Sequence, residues 1–189
     1  MHDKTYRVLL IEDSSGDARL VREFLSESPA AFDVRWEKKF KGGLKCLAAD
    51  SFDVVLLDLE LPDSPGGLVT VEKMLTASHG VPIIVMTGLE DEELAAATVR
   101  SGAQDYLIKG SVNPVLLSRS IDYAIERQRT REALRESEEK FHRIADRLSV
   151  LHEIGLTLNQ QTEPPARIDP EECGRHHFRG SGRHAAHRG

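Results

Sequence analysis

The feature that most constrains this chain is an alternation. Over about 125 residues, short β-branched and aliphatic runs take turns with segments whose apolar residues fall at helical spacing, five of each. "YRVLLIED", "FDVRWEK", "FDVVLLDL", "VPIIVMTG" and "AQDYLIKG" read as strands. The third is almost continuously apolar, as a strand covered on both faces must be. The second alternates, which predicts one wetter face. Between them, "SGDARLVREFLSES" sets Ala18, Leu20, Val21, Phe24 and Leu25 at helical spacing, with Ser14 or Ser15 to cap the start. "GGLKCLAAD", "LVTVEKMLTA", "DEELAAATVRSG" and "NPVLLSRSIDYAIERQR" read as the remaining helices. The fourth begins on acids and has Gly102 near its end; the fifth has Pro114 in its first turn. Strands separated by helices imply right-handed crossovers. The expected fold is therefore α/β, a doubly wound five-stranded parallel sheet with helices on both faces.

Ligands of such sheets lie at the carboxyl ends of the strands. The first strand ends in Glu12 and Asp13, the third in Asp58, the fourth in Thr87 and the fifth in Lys109. A single acid at a strand end is an ordinary cap or turn residue. Three acids, a hydroxyl and an ammonium at one sheet edge are a chemical set. The carboxylates repel one another and call for a counter-charge. Mg²⁺ suits them, because it takes oxygen ligands and keeps several waters. The backbone carbonyl of Glu60 can join the set, since the chain turns there. Lys109 can pair with one phosphoryl oxygen and Thr87 can donate to another. Asp58 would then be the nucleophile that forms an aspartyl phosphate. Phosphoryl transfer needs mostly positioning and charge neutralisation, and this set supplies both.

The succession "IED", "LLDLELP", "MTG", "YLIKG" resembles the receiver domain of bacterial response regulators over residues 6 to about 128. The resemblance implies the flavodoxin-like strand order 2-1-3-4-5. It implies phosphorylation of Asp58 by a sensor histidine kinase or phosphotransfer protein, with Mg²⁺ held by Glu12, Asp13 and Asp58. Thr87 would be the switch hydroxyl, Lys109 the phosphate-pairing lysine and Tyr106 the aromatic switch residue. Tyr106 reads equally well as a half-buried strand aromatic. A phosphoryl group would draw Thr87 and Lys109 toward it. Tyr106 would turn inward, and the face of helix four, strand five and helix five would change shape. Two positions depart from the family pattern. Gly110 follows Lys109 where proline is common, and Gly88 stands where alanine is common and should leave the site more open. The loop "LPDSPGG" is expected to set access to Asp58.

The helical pattern does not stop with the fifth helix. "IERQRTREALRESEEKFHRIADRLSVLHEIG" carries no proline, and glycine enters only at Gly155. Leu134, Phe141 and Leu148 recur every seven residues, with Ile144 and Leu151 at the other seam position and Ser137 weakening it. Leu117, Ile121, Ala124 and Ile125 follow a different phase, so the pattern shifts near residues 128 to 131. The reading is a receiver over 1–128, a helical extension over 129–158 that can pair as a homodimer, and a polar tail over 159–189 expected to be disordered. "ALRESEEKFHRI" resembles linkers that precede PAS sensory domains, and "LHEIGLTLNQ" the opening of GAF-type modules. His176, His177, His184 and His187 with Cys173 match no tetrahedral zinc spacing.

Composition narrows the rest. A formal net charge of −6 argues against direct nucleic-acid binding. The apolar runs are strand-sized, so no membrane span is expected, nor any secretion signal. Two cysteines far apart suit a reduced, cytoplasmic setting. The expected role is a phosphorylation-dependent switch and not an enzyme with a separate substrate. A dehalogenase-type phosphatase would need D-x-D after the first strand, which "IEDSS" lacks, and a dinucleotide enzyme would need a glycine-rich turn. The alternative is an unphosphorylated dimerisation module on the same fold.

Overall fold

The computed structural model describes residues 5–88 and 92–161. The order is β1 (Thr5–Ile11), α1 (Ser15–Ser26), β2 (Ala31–Glu37), α2 (Phe40–Ala49), β3 (Val54–Asp58), α3 (Gly67–Ser78), β4 (Ile83–Thr87), α4 (Glu92–Arg100), β5 (Asp105–Ile108), a 3-10 turn (Lys109–Ser111) and α5 (Pro114–Gln161). The strands form one sheet in the order β2-β1-β3-β4-β5. Every pairing is parallel. The expected doubly wound architecture and its strand order are both present.

Two cores arise because side chains alternate across a strand. Val8, Leu10, Val54, Leu56, Ile84, Met86 and Leu107 point to one face, where Ala18, Val21 and Leu25 of α1 and Leu117, Ile121, Ala124 and Ile125 of α5 cover them. Leu9, Ile11, Val55, Leu57, Ile83 and Val85 point to the other, under Phe40 and Cys46 of α2 and Val71 and Met74 of α3. Residues of β3 and β4 are buried throughout. The edge strand β2 alternates between exposed and half-buried positions, as its sequence requires. Helix α2 lies so close to β1 that a side chain at Gly43 would collide with Ile11.

Local chemistry sets the helix ends. Ser14 caps α1 by accepting from the Asp17 N–H at 3.3 Å. Helix α4 closes in a Schellman turn. The Ala103 N–H donates to the Thr98 carbonyl, the Gly102 N–H donates to Val99, and Gly102 takes φ +119°. Helix α2 has no side-chain cap of its own. Asp63, from the β3–α3 loop, accepts from the Phe40 N–H at 2.7 Å and the Lys41 N–H at 3.1 Å. The loop expected to control access to Asp58 is thus tied to the start of a neighbouring helix.

The structure falls into two units that meet between Lys140 and Phe141. The receiver-like unit buries Leu117, Ile121, Ala124 and Ile125 of α5 and leaves Leu134 at 60% exposure. In the second unit, Phe141, Ile144, Leu148 and Leu151 are all exposed. The expected polar tail lies, from residue 162 on, outside the described residues, and with it Cys173 and the four tail histidines.

Candidate functional site: an acidic pocket around one lysine

Parallel pairing brings the carboxyl ends of β1, β3 and β4 side by side. Ile11 pairs with Leu57, and Asp58 with Met86. The sheet order reverses between β1 and β3, where such folds open a crevice. Glu12 and Asp58 project there and are buried, at 0% and 1% exposure, while Asp13 is exposed. One ligand oxygen from each of Glu12, Asp13 and Asp58 lies within 4.8 Å of the others. Thr87, fully buried, ends β4 beside them. Its hydroxyl donates to the Gly88 carbonyl at 3.5 Å, long for an O–H···O bond, so it is weakly held.

Lys109 leaves the end of β5 and crosses to this cluster. Its Nζ lies 2.7 Å from Glu12 Oε2, 3.0 Å from Asp58 Oδ2 and 3.1 Å from Asp17 Oδ2. Glu12 is fixed from two further sides. Its Oε1 accepts from the Ser14 N–H at 3.1 Å, and its carbonyl accepts from Trp36 Nε1 at 2.7 Å. Asp58 Oδ1 accepts from the Glu60 N–H at 3.1 Å. The 3-10 turn after Lys109 contains no cis peptide bond and no left-handed residue, so Gly110 replaces proline in an ordinary trans turn. A Cβ at Gly88 would meet the Glu60 carboxylate at 3.8 Å, ordinary contact, so alanine would fit there too.

The electrostatics follow from burial. Loss of water pushes the Glu12 carboxyl up from 4.5 to about 7; Lys109 works against this and the Asp58 charge adds to it. Burial works to push the Lys109 ammonium down, but the close Glu12 carboxylate and the Asp58 charge outweigh it and move it up. Lys109 therefore stays charged. One ammonium does not balance the carboxylates gathered here. Glu12 Oε2 is buried, and for all its closeness to Lys109 it accepts no hydrogen bond of good geometry. A buried carboxylate oxygen short of donors, beside two further carboxylates, fits a hard divalent cation such as Mg²⁺.

The expected residues Glu12, Asp13, Asp58 and Lys109 thus share one pocket, with Thr87 at the adjoining strand end. Glu60 contributes its N–H to Asp58, and its side chain is exposed. Tyr106 is half-buried on β5 and packed against the core under α2 and α3. Three contributors escaped the sequence reading. Asp17 reads as an acid that complements the α1 dipole, and nothing in "SSGDA" signals that it meets a lysine from the other end of the fold. Trp36 reads as an edge-strand aromatic, and Asp63 as a turn residue.

A family model, the response regulator receiver domain, matches residues 8–121. The chain belongs to this family. Receiver domains are signalling switches of two-component systems that bind Mg²⁺ at an acidic site, and Glu12, Asp13 and Asp58 form an acidic cluster that could hold a metal ion. The swarming motility regulation protein RssB of Serratia marcescens is 31% identical over 115 residues, 59% of this chain and 50% of that protein. A protein-glutamate methylesterase/protein-glutamine glutaminase of Geobacillus kaustophilus is 33% identical over 57% of this chain and 31% of its own length. The chain thus spans half or less of these curated relatives. Among solved structures, a receiver domain protein from Clostridium thermocellum superposes with a TM-score of 0.59 at 25% identity, covering 66% of this chain and 98% of that one. The receiver domain of NtrX from Brucella abortus gives a TM-score of 0.57 at 22% identity over 63% of this chain and 98% of that one, and shares the fold. No helix among the described residues is long and apolar enough to cross a membrane.

Proposed function

We propose that this receiver accepts a phosphoryl group on Asp58 from the phosphohistidine of a sensor kinase or phosphotransfer protein. The observation that carries the proposal is the convergence of three carboxylates and Lys109, with Lys109 Nζ 3.0 Å from Asp58 Oδ2. A carboxylate oxygen of Asp58 attacks phosphorus as the N–P bond breaks, and the imidazole departs with the bonding pair. The Glu60 N–H and Lys109 hold the Asp58 carboxylate in one orientation. Lys109 then pairs with a phosphoryl oxygen, and the weakly held Thr87 hydroxyl turns to another. Glu12, Asp13, Asp58 and the Glu60 carbonyl would hold Mg²⁺, which supplies charge neutralisation for the transferred group. Tyr106 follows Thr87 inward, and the α4–β5–α5 face changes with it. The chain catalyses only its own phosphotransfer and dephosphorylation, in the cytoplasm. Its net charge of −6 supports a protein partner over nucleic acid.

The receiver proper closes near residue 128, and the helix beyond it is the output. Five exposed apolar side chains, Leu134, Phe141, Ile144, Leu148 and Leu151, favour pairing with a second copy. The same observation favours the second reading, a dimerisation module that works without phosphate, and likeness to PAS and GAF linkers suits either.

Acetyl phosphate with Mg²⁺ should add one phosphoryl mass to the protein, and Asp58→Asn should abolish the gain. A gain that persists in that variant would remove Asp58 from the role. Light scattering before and after treatment separates the readings of the helix: a dimer indifferent to phosphate supports the second, and a monomer at high concentration in both states sinks both.

A further inference from the structure

Helix α5 carries two apolar stripes. One is Leu117, Ile121, Ala124 and Ile125, buried against the sheet. The other begins just as early and stays exposed. Leu116 is 40% exposed, Tyr123 65% and Leu134 60%. Successive members are seven and eleven residues apart, close to two and three helical turns, so they stand on one line along the helix, away from the buried stripe. Counted along the sequence, Phe141, Ile144, Leu148 and Leu151 keep the same period of seven. Leu134, Phe141 and Leu148 take one seam position; Leu116, Tyr123, Ile144 and Leu151 take the other. Of the exposed large apolar side chains of α5, among the described residues, Val115 alone falls off this count.

A stripe that repeats every seven residues is matched by a helix of the same period, because a shared period keeps each seam facing the other. A second copy of this chain supplies that helix. The flanks of the seam decide its direction. Lys140 and Arg147 stand on the flank that precedes Phe141 and Leu148, and Glu138 and Ala145 stand on the other flank. In an antiparallel pair the first flank meets itself, which sets Lys140 and Arg147 against the same cations of the second copy. In a parallel, in-register pair the first flank meets the second, five residues on. Lys140 then faces Ala145, and Glu126 faces Arg131 with opposite charge. Arg127, Thr130 and Ser137 make the middle of the seam polar. They weaken it, but a slip of seven residues would set Arg127 against Leu134, so they also fix the register.

We propose that α5 pairs with α5 of a second copy, parallel and in register, along a seam that starts on the receiver at Leu116 and Tyr123 and runs on through the extension. The proposal deepens the functional reading above and rests on its paired output helix. Parallel order brings both receivers to the same end of the pair, with the two Tyr123 side chains opposed. Pairing confined to the extension would leave Tyr123 and Leu116 uncovered, and antiparallel pairing would send the receivers to opposite ends.

The experiment is disulfide trapping in the full chain, with Cys173→Ser so that only the buried Cys46 remains of the native cysteines. Single cysteines enter at the seam, as Ser137→Cys or Thr130→Cys, and on the far side of the helix, as Glu139→Cys. Each is oxidised with glutathione disulfide, in the phosphorylation state in which light scattering finds a dimer. A parallel, in-register pair sets each seam residue against its own counterpart. Ser137→Cys and Thr130→Cys should therefore link two chains roughly tenfold faster than Glu139→Cys on non-reducing gels. Tyr123→Ala should raise the dimer dissociation constant roughly three- to tenfold in sedimentation. A dimer in which Ser137→Cys links no faster than Glu139→Cys overturns the parallel order. Failure of Thr130→Cys to link, or an unchanged constant in Tyr123→Ala, overturns the receiver end of the seam. A wild-type chain that stays monomeric at high concentration, with and without acetyl phosphate and Mg²⁺, overturns the paired output helix and this proposal with it. That failure is distinguishable because no variant is needed to see it, and phosphoryl uptake at Asp58 is read separately by mass.

Discussion

The sheet and the far end of α5 use the same residue types to opposite ends. Leu9, Leu10, Leu56 and Leu57 are fully buried, each on strands whose partners lie far away in the chain. Leu134, Phe141, Ile144, Leu148 and Leu151 stand between 55% and 70% exposed on a helix whose backbone hydrogen bonds are local. A helix satisfies its backbone without neighbours, whereas a strand cannot. Apolar side chains on the extension can therefore persist uncovered while those on the strands cannot. The core is a finished structure. The extension, among the described residues, carries exposed apolar side chains at a repeat of seven.

Truncating each region should break the symmetry between them. Leu56→Ala removes a fully buried side chain from the core under α1 and α5, and should cost about 3 kcal/mol in urea unfolding. Phe141→Ala should shift the same unfolding midpoint by less than about 0.5 kcal/mol, and appear instead as weaker self-association in sedimentation. A large loss at Phe141 in the monomer would mean the extension is packed, and the contrast would fail.

Among the described residues, the buried charges Glu12 and Asp58 lie in this pocket, and pH sharpens that difference. Burial raises Glu12 from 4.5 to about 7 in the folded protein. Between those values the folded state holds more protons than the unfolded chain, so stability must fall as pH rises. In a chelator, the denaturant midpoint should decline from about pH 4.5 to about pH 7 and then flatten, a change on the order of 2 kcal/mol. Glu12→Gln should remove the slope.

Smaller changes probe how the rim of the core is held. Asp63 caps α2 from the β3–α3 loop, and the Phe40 and Lys41 N–H groups keep its carboxyl below the usual range although burial works the other way. Asp63→Ala should cost about 1 kcal/mol and raise hydrogen exchange at the start of α2. Gly88→Ala should be the mildest of all, within about 0.5 kcal/mol, because the added methyl meets only ordinary contact with Glu60.

Much of this was readable in advance, and unevenly. The runs "VVLL" and "IIVM" could be placed as covered strands because only a two-sided core tolerates them. The ends of β1, β3, β4 and β5 named Glu12, Asp13, Asp58, Thr87 and Lys109 because parallel topology sends all carboxyl ends to one edge. Asp63 and Trp36 were not readable as site supports. Each acts through hydrogen bonds to backbone far away in sequence, Asp63 with two to α2 and Trp36 with one to Glu12. Tyr106 marks the boundary: its half-buried position on β5 is as compatible with packing as with switching.

By itself, the order of residues determined that a parallel sheet would form, which acids would stand at its edge and where the helix would run on with apolar residues every seventh place. These depend on period and position, which a linear string records. Only the tertiary structure decided that Lys109 meets Asp17 as well as Glu12 and Asp58, and that Glu12 is buried deeply enough to hold its proton near neutral pH. Those are matters of distance and of excluded water, set when remote segments pack, and no local pattern encodes them.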